Sequence, residues 1–96
     1  MDRAPAHELA FITVIGQDQK GIVARVSSYL WKANINIVDI SQKIFEGYFV
    51  MIMLVDVSDT KRSLEKVGAD LAVLGVDLGL KIQVQHENIF KMMHRV

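Results

Sequence analysis

Two hydrophobic periodicities alternate along this chain, and their order constrains the fold more than any other feature of the sequence. Residues 9–16 and 48–57 are apolar on both alternating faces, which is typical of central strands covered on two sides. Residues 35–45 and 78–85 alternate apolar with polar side chains, which is typical of strands with one face in water. Two further segments, one between residues 16 and 35 and one between residues 57 and 78, repeat apolar residues at helical spacing. Their apolar residues are Ile22, Val23, Val26, Tyr29, Leu30 and Ala33 in the first segment, and Leu64, Val67, Leu71 and Leu74 in the second.

The order strand-helix-strand-strand-helix-strand predicts an α+β fold. We expect a ferredoxin-like βαββαβ sandwich, in which two helices cover one face of a four-stranded antiparallel sheet. The doubly apolar strands belong in the centre of that sheet and the polar-sided strands at its edges. Residues 1–8 are predicted to be a flexible N-terminus, and residues 9–86 the folded domain. Residues 87–96 are predicted to form a short C-terminal helical tail, because one helical stripe carries Ile89, Phe90, Met93 and Val96.

Local signals refine the first half of this arrangement. Asn34 stands where a residue of left-handed conformation would end the first helix. The apolar phase of the second strand slips near Ile37 and Val38, which predicts a bulge or a sharp twist. The dipeptide Glu46-Gly47, with glycine in second place, predicts a two-residue hairpin turn.

The second helix carries its own end signals. The Ser-Asp-Thr sequence at residues 58–60 offers caps for the first turn, and the helix is predicted to end near Gly75. Gly68, inside the helix, costs roughly 1 kcal/mol relative to alanine, so it marks either tight packing or a weak spot. The sheet face opposite the helices is also apolar in the central strands, and either another subunit or the C-terminal helix is expected to cover it.

The composition excludes several functional classes. Eleven basic and eleven acidic side chains, with no basic stretch, make a nucleic acid a poor partner. The absence of cysteine excludes a disulfide scaffold, thiolate zinc sites and thiol catalysis. No run of about 18 apolar residues and no signal peptide is recognisable, which favours a soluble cytoplasmic protein that does not enter a membrane. A chain of 96 residues with 51% hydrophobic content gains stability by pairing with copies of itself.

Catalytic and metal-binding motifs are incomplete in this sequence. Gly16 and Gly21 have the spacing of a phosphate loop, but residues 22–23 are Ile-Val, where a lysine and a hydroxyl residue are needed. His86-Glu87 begins like a zinc-protease motif, but position 90 is Phe, so a metal role for His86 or His94 is disfavoured. We therefore predict no catalytic residue, no metal and no cofactor. A small enzyme would need a general base, for which His86 is the one candidate.

Two polar segments are candidates for a small-molecule site. The first is the loop at the start of helix one, where exposed backbone N–H groups can hold a carboxylate and Gly21 lets the ligand approach the backbone closely. Asp18 in this loop can accept a hydrogen bond from an α-ammonium group. The second is residues 34–39, where Asn36 has both donor and acceptor capacity. The alternative is that Asp18 only caps the helix and that Asn34 and Asn36 only turn the chain.

These same two segments resemble the motifs of the ACT domain, a small regulatory module of many enzymes of amino-acid metabolism. Residues 14–23, VIGQDQKGIV, resemble its G-x-D-x-x-G-I/L turn, and residues 34–42, NINIVDISQ, resemble its N-I-x-D strand. The resemblance covers about residues 9–86 and is closest to stand-alone, single-domain members of bacteria and archaea. The chain is also similar to the domains of the glycine-cleavage repressor and of some phosphoserine phosphatases.

The resemblance implies a ligand site between two subunits, whose edge strands pair into one eight-stranded sheet. The glycine turn of one chain would hold the ligand through Asp18, Gly21 and the backbone near Ile22. The start of strand two in the partner would hold it through Asn36, Ile37 and Val38. The sequence departs from the family at Lys20, where proline is common, and the lysine adds a charge at the mouth of the site.

The sequence therefore predicts a non-catalytic regulatory module that binds an amino acid or a related small metabolite. We expect a homodimer, or a tetramer of stacked dimers, that passes its ligand occupancy to a protein target. The alternative is a structural interaction module with no small-molecule ligand, in which the apolar sheet face or the C-terminal helix recruits a protein partner.

Overall fold

A computed structural model describes residues 7–93 of the chain and arranges them as four strands and three helices. The strands form one antiparallel sheet, in which the second strand of the chain lies at one edge, followed by the third, the first and the fourth, and both helices of the βαββαβ unit pack on one face. This confirms the predicted α+β ferredoxin-like sandwich and its edge and central strands. Residues 1–6, and Val96 of the predicted C-terminal stripe, lie outside the described residues. The elements are β1 (Leu9–Gln17), α1 (Ile22–Lys32), β2 (Asn36–Phe45), β3 (Tyr48–Asp56), α2 (Leu64–Leu78), β4 (Leu80–His86) and α3 (Glu87–Met93).

The core lies between the sheet and the helices α1 and α2. One face of each central strand is almost fully buried, because its alternate side chains point toward the helices. Each helix contributes one stripe to this core, which places the helix starts at fixed positions above the sheet. The buried residues of these four elements include Ala10, Ile12, Val14, Ile22, Val26, Leu30, Met51, Met53, Val55, Val67 and Leu71.

The opposite sheet face is partly covered by α3. The rings of Phe11 and Phe90 stack with centroids 4.1 Å apart and an angle of 21° between their planes. Of the two predicted covers, the C-terminal helix is therefore the one present within a single chain. The cover is incomplete, because Ile15 and Ile52 on this face remain 49% and 38% exposed.

The predicted local features of the first half are confirmed. Asn34 has a φ of 61° and follows α1 in the left-handed conformation. The pairing of β2 with β3 shifts register between Ile37 and Asp39, so Val38 is the extra residue of a β-bulge. Glu46 and Gly47 both have positive φ, 55° and 81°, as a type I′ hairpin turn requires.

Glu46 provides the first test, because it occupies a left-handed position that favours asparagine over longer side chains. We expect Glu46→Asn to stabilise the fold by about 0.5–1 kcal/mol, which corresponds to a rise in Tm of a few degrees. Thermal unfolding of the two proteins at equal concentration measures this difference. Glu46→Gln is the matched control, since it removes the charge but keeps the side-chain length. An equal rise in both variants would contradict the backbone explanation.

Both predicted ends of α2 were wrong. The helix is capped by Ser63, whose Oγ accepts a hydrogen bond of 3.1 Å from the backbone N–H of Lys66, and not by residues 58–60. Ser58 instead donates from its backbone and its hydroxyl to the Asp56 carboxylate. The helix also continues beyond Gly75 to Leu78 and ends on Gly79, which has a φ of 71°. Gly75 therefore lies inside the helix, where the absence of a side chain allows α2 to approach β4 closely.

The two glycines of α2 have different surroundings. A Cβ added at Gly75 would lie 2.6 Å from the carbonyl oxygen of Leu80 and 3.2 Å from Cγ1 of Ile82. A Cβ added at Gly68 would lie 3.9 Å from Cβ of Val84, an ordinary van der Waals distance. Of the two interpretations of Gly68 that the sequence left open, the structure therefore favours the weak spot in the helix. The position of tight packing is Gly75.

A polar network around Asp70 joins α1 to α2. The Tyr29 hydroxyl donates to Oδ2 of Asp70 over 2.6 Å, and the Lys66 ammonium lies 2.9 Å from Oδ1. These two hydrogen bonds hold the pKa of Asp70 below its usual range, because both stabilise the carboxylate. Burial is the main cause that raises the pKa of Tyr29, followed by its hydrogen bond to Asp70. The network fixes the position of α1 relative to α2 in addition to their apolar contacts.

Candidate functional site

The glycine turn, residues 17–21, connects β1 to α1 and is held by two neighbouring segments. The backbone N–H of Asp18 donates to the carbonyl of Gly47 in the β2–β3 hairpin over 3.0 Å. The side-chain amide of Gln19 donates to the carbonyl of Leu78 at the end of α2 over 2.7 Å. These contacts give the turn a defined shape and place it at the hairpin end of the sheet.

Within the part of the chain that the structure describes, no side chain caps the start of α1. Gly21 is the N-cap residue with a φ of 85°, a left-handed conformation that favours glycine. Among the described residues no side chain accepts a capping hydrogen bond at this end of the helix, so the interpretation of Asp18 as a helix cap was wrong. The positive end of the helix dipole and its first N–H groups therefore face the surface.

The predicted side chains of the glycine turn differ in accessibility. Asp18, Lys20 and Gly21 are exposed, so all three can reach a ligand. The side chain of Ile22 is 2% exposed and belongs to the core, so only its backbone is available to a ligand. This burial follows from the helical stripe that begins at Ile22.

The second predicted segment lies at the opposite end of the sheet. Asn36 pairs with Asp56, and Asp56 pairs with Leu9 at the start of β1. The turn instead follows Gln17, at the far end of this nine-residue strand. At about 3.3 Å per residue the two segments are on the order of 26 Å apart. One chain therefore does not bring Asp18 and Asn36 together.

The three predicted residues of β2 have different orientations. Asn36 is exposed, and its side-chain amide has no hydrogen-bond partner within residues 7–93. Ile37 pairs with Val55 on the helix-covered face and is half-buried. Val38 is the bulge residue and is 51% exposed.

A polar cavity of about 360 Å³ opens beside Asn36, and we refer to it as the Trp31 cavity. It is formed by the last turn of α1, the start of β2 and the segment after β3. The indole of Trp31 is 80% exposed at its edge. The side-chain amide of Asn34 donates to the Asp59 carbonyl over 3.2 Å, which joins two sides of the cavity. The lining residues are Trp31, Asn34, Ile35, Asn36, Asp56 and Asp59.

The cavity carries negative charge. Ser58 donates two hydrogen bonds to Oδ1 of Asp56, of 2.6 Å from its hydroxyl and 2.9 Å from its backbone. These bonds hold the pKa of Asp56 below its usual range, so the group is ionised at neutral pH. The other oxygen of Asp56 lies 3.6 Å from Nδ1 of His7. The Asp59 carboxylate has no ion-pair partner among the described residues.

Sequence reasoning missed Trp31 and Asp59 as members of a site. Trp31 is the only tryptophan of the chain and falls outside the apolar stripe of its helix, which is a signal that could have been used. Asp59 was interpreted as a helix cap, and nothing in the sequence relates it to Trp31. Only the fold brings the two residues to one cavity.

His86, the one candidate for a general base, is engaged on both ring nitrogens. Its Nδ1 accepts from the backbone N–H of Asn88 over 3.2 Å, and its Nε2 lies 3.1 Å from a carboxylate oxygen of Glu8. His94 lies outside the described residues. Within residues 7–93, no three His, Asp or Glu side chains converge as a metal site. No helix in the same range is long and apolar enough to span a bilayer.

Two other depressions contain none of the predicted site residues. One, of about 560 Å³, lies between α1 and α2, where the exposed side chains of Val73 and Val76 flank the ion pair between Arg25 and Asp77. The other, of about 290 Å³, lies between α3 and the outer sheet face. In both, most of the lining surface is apolar.

Comparison with known proteins gives consistent matches over nearly the whole chain. Residues 8–85 match the ACT domain. A UPF0237 protein of Listeria monocytogenes serotype 4b is 51% identical over 87 residues, which cover 91% of this chain and 98% of that protein. An ACT domain protein from Streptococcus pneumoniae has a similar structure, with a TM-score of 0.77 and 38% identity over 88% of this chain and 94% of that one.

A third similar structure belongs to a larger protein. It is described as a glycine cleavage system transcriptional repressor, and it aligns with a TM-score of 0.73 and 25% identity. The alignment covers 83% of this chain and 46% of the repressor. The resemblance that was based on the two sequence motifs is thereby confirmed at the level of the family.

Proposed function

The chain belongs to the ACT domain family, a family of regulatory modules, and from this premise we propose that it binds an amino acid or a related small metabolite at a homodimer interface. The proposal assigns no catalytic step to the chain. The observation that carries it is that the two segments predicted to hold the ligand, the glycine turn and the start of β2, lie at opposite ends of one sheet. We refer to these two segments as the half-sites.

A two-fold axis beside the edge strand β2 would bring the start of β2 in one chain close to the glycine turn of a second chain. If β2 pairs antiparallel with β2 of a second copy, the Asn36 end of each strand lies beside the Phe45 end of the other. The Phe45 end is the hairpin end, where the backbone N–H of Asp18 donates a hydrogen bond to the carbonyl of Gly47. The symmetry operation therefore brings Asn36 of one protomer toward the glycine turn of its partner.

The surface of β2 supports such pairing. Every residue from Val38 to Phe45 is exposed, and the strand is an unpaired edge within one chain. The bulge is confined to the segment between Ile37 and Asp39, which leaves residues 40–45 regular enough to form a ladder. The exposed apolar side chains that a second copy could cover are Val38, Ile40, Ile44 and Phe45.

The chemistry of the two half-sites suits a zwitterion. The uncapped first turn of α1 and the ammonium of Lys20 favour a carboxylate. The carboxylate of Asp18 accepts from an ammonium group, and the amide of Asn36 serves either charge. Similarity to a protein described as a transcriptional repressor supports a regulatory role in which ligand occupancy is passed to another macromolecule.

Asn36 provides a test of this proposal. We expect Asn36→Ala to weaken amino-acid binding about tenfold, equivalent to about 1.4 kcal/mol, without loss of folding, because its exposed amide has no partner within the described chain. A thermal-shift screen of the twenty amino acids first identifies the ligand. At a hundredfold excess over Kd, one site stabilises the protein by about 2.7 kcal/mol.

Gln83→Ala is the matched control, since Gln83 is an exposed amide on β4, the opposite edge strand, outside both half-sites and outside the proposed interface. Isothermal titration calorimetry compares the two variants with the unaltered chain. Equal affinity of Asn36→Ala and the unaltered chain would remove Asn36 from the site. A folded dimer that responds to no amino acid would instead favour the structural interaction module.

A further inference from the structure

The Trp31 cavity shares Asn34, Ile35 and Asn36 with the second motif, but its other lining residues, Trp31, Asp56 and Asp59, lie outside both motifs on which the proposed site rests. Its volume, about 360 Å³, is within the range of pockets that hold small molecules. It is open to solvent, and its side-chain groups at Trp31, Asn36 and Asp59 have no hydrogen-bond partners within residues 7–93. A ligand held at Asn36 would therefore adjoin this cavity.

The charge of the lining is one-sided. Among residues 7–93 the lining includes the carboxylates of Asp56 and Asp59 and no lysine or arginine, and the imidazole Nδ1 of His7 lies 3.6 Å from Asp56. The last turn of α1 adds the negative end of the helix dipole, because the helix ends at Lys32 immediately beside the cavity. Lys32 itself is not a lining residue. An anionic group would be repelled here, whereas a cationic group would gain from both carboxylates.

The exposed indole adds a second, independent attraction for a cation. Trp31 is 80% exposed, although tryptophan has the largest apolar surface of any side chain. The face of an indole ring attracts ammonium and guanidinium groups more strongly than any other side-chain ring. Two carboxylates and an accessible indole around one cavity are acceptors that suit the N–H groups and positive charge of a basic side chain.

We propose that the Trp31 cavity receives the side chain of the bound amino acid and selects a cationic one, as in lysine, ornithine or arginine. This inference rests on the proposed function, in which the partner's glycine turn and Asn36 hold the ligand's α-carboxylate and α-ammonium groups. Lys20 then faces the carboxylate end of the ligand, and Asp56 and Asp59 face the side-chain cation.

A comparison of lysine, norleucine and glutamate tests the inference on the full chain. Norleucine has the carbon chain of lysine without the terminal ammonium group, so the pair isolates the side-chain charge. We expect calorimetry to give lysine at least tenfold tighter binding than norleucine, and glutamate the weakest binding of the three. Since Trp31 is the only tryptophan, its fluorescence emission should change on addition of lysine.

The variant Asp59→Asn should weaken lysine binding about tenfold and leave norleucine binding within about twofold, because it removes only the charge. Glu65→Gln is the control, since it removes an exposed carboxylate that does not line the cavity.

The outcomes separate this inference from the function on which it rests. Equal binding of lysine and norleucine, or tighter binding of glutamate, would overturn the cationic selectivity while an effect of Asn36→Ala on the same ligands preserved the proposed function. Absence of binding for all three ligands and for the other amino acids would overturn both.

Discussion

Gly75→Ala is expected to destabilise the fold by about 3 kcal/mol, the upper end of the usual cost of an added methyl group in a packed interior. The new Cβ would lie 2.6 Å from the carbonyl oxygen of Leu80, which belongs to the backbone of a paired strand and cannot rotate away. Relief requires α2 to move from β4, which disturbs the buried contacts of Leu71 and Ile82. Thermal unfolding should show a Tm lower by about 10 °C or more.

Gly68→Ala is the matched control, because it makes the same chemical change seven residues earlier in the same helix. Its Cβ meets Val84 at 3.9 Å, so the substitution costs no packing and gains helix propensity. We expect it to stabilise the fold by up to about 1 kcal/mol. Opposite signs for the two variants would confirm the close approach of α2 to β4. A neutral Gly75→Ala variant would contradict it.

The sequence predicted the elements whose signals are local and periodic. The bulge at Val38 follows from the slip in alternation, and the type I′ turn at Glu46-Gly47 follows from a glycine flanked by two strand patterns. The edge positions of β2 and β4 follow from their polar faces. Each of these features depends on residues close together in the chain.

The features that sequence reasoning missed depend on tertiary contacts. Glycine is common at helix ends, and only the close approach of the neighbouring strand β4 explains why the helix continues beyond Gly75. Ser58, Asp59 and Ser63 are all capable caps, and the choice of Ser63 is set by where α2 must begin to cover the sheet. The Trp31 cavity brings together Trp31 and Asp59, which are 28 positions apart in sequence, so no local sequence pattern predicts it.

The candidate site was predictable in its parts but not in its geometry. The two motifs identify Asp18, Gly21 and Asn36 by residue type and spacing. The strand register then separates these residues along the length of β1, which a reading of motifs alone does not reveal. This separation is the physical reason to propose that two chains share each site.

A shared site has a strong consequence for mixtures of defective chains. Asp18→Ala and Asn36→Ala should each lose high-affinity binding when refolded alone, because every site of either homodimer lacks one side. A heterodimer of the two variants has one site that lacks both side chains and one site that is intact. Refolding an equal mixture should produce about half heterodimers, and therefore about a quarter of all sites should be intact.

The most direct measurement is the calorimetric stoichiometry of this co-refolded mixture, with the amino acid identified in the thermal-shift screen as the probe. A site shared between chains predicts about 0.25 high-affinity sites per chain, with the Kd of the unaltered protein, where neither variant alone has any. Sites formed within single chains cannot be restored by mixing. A mixture that binds no better than the two variants refolded separately would contradict the account.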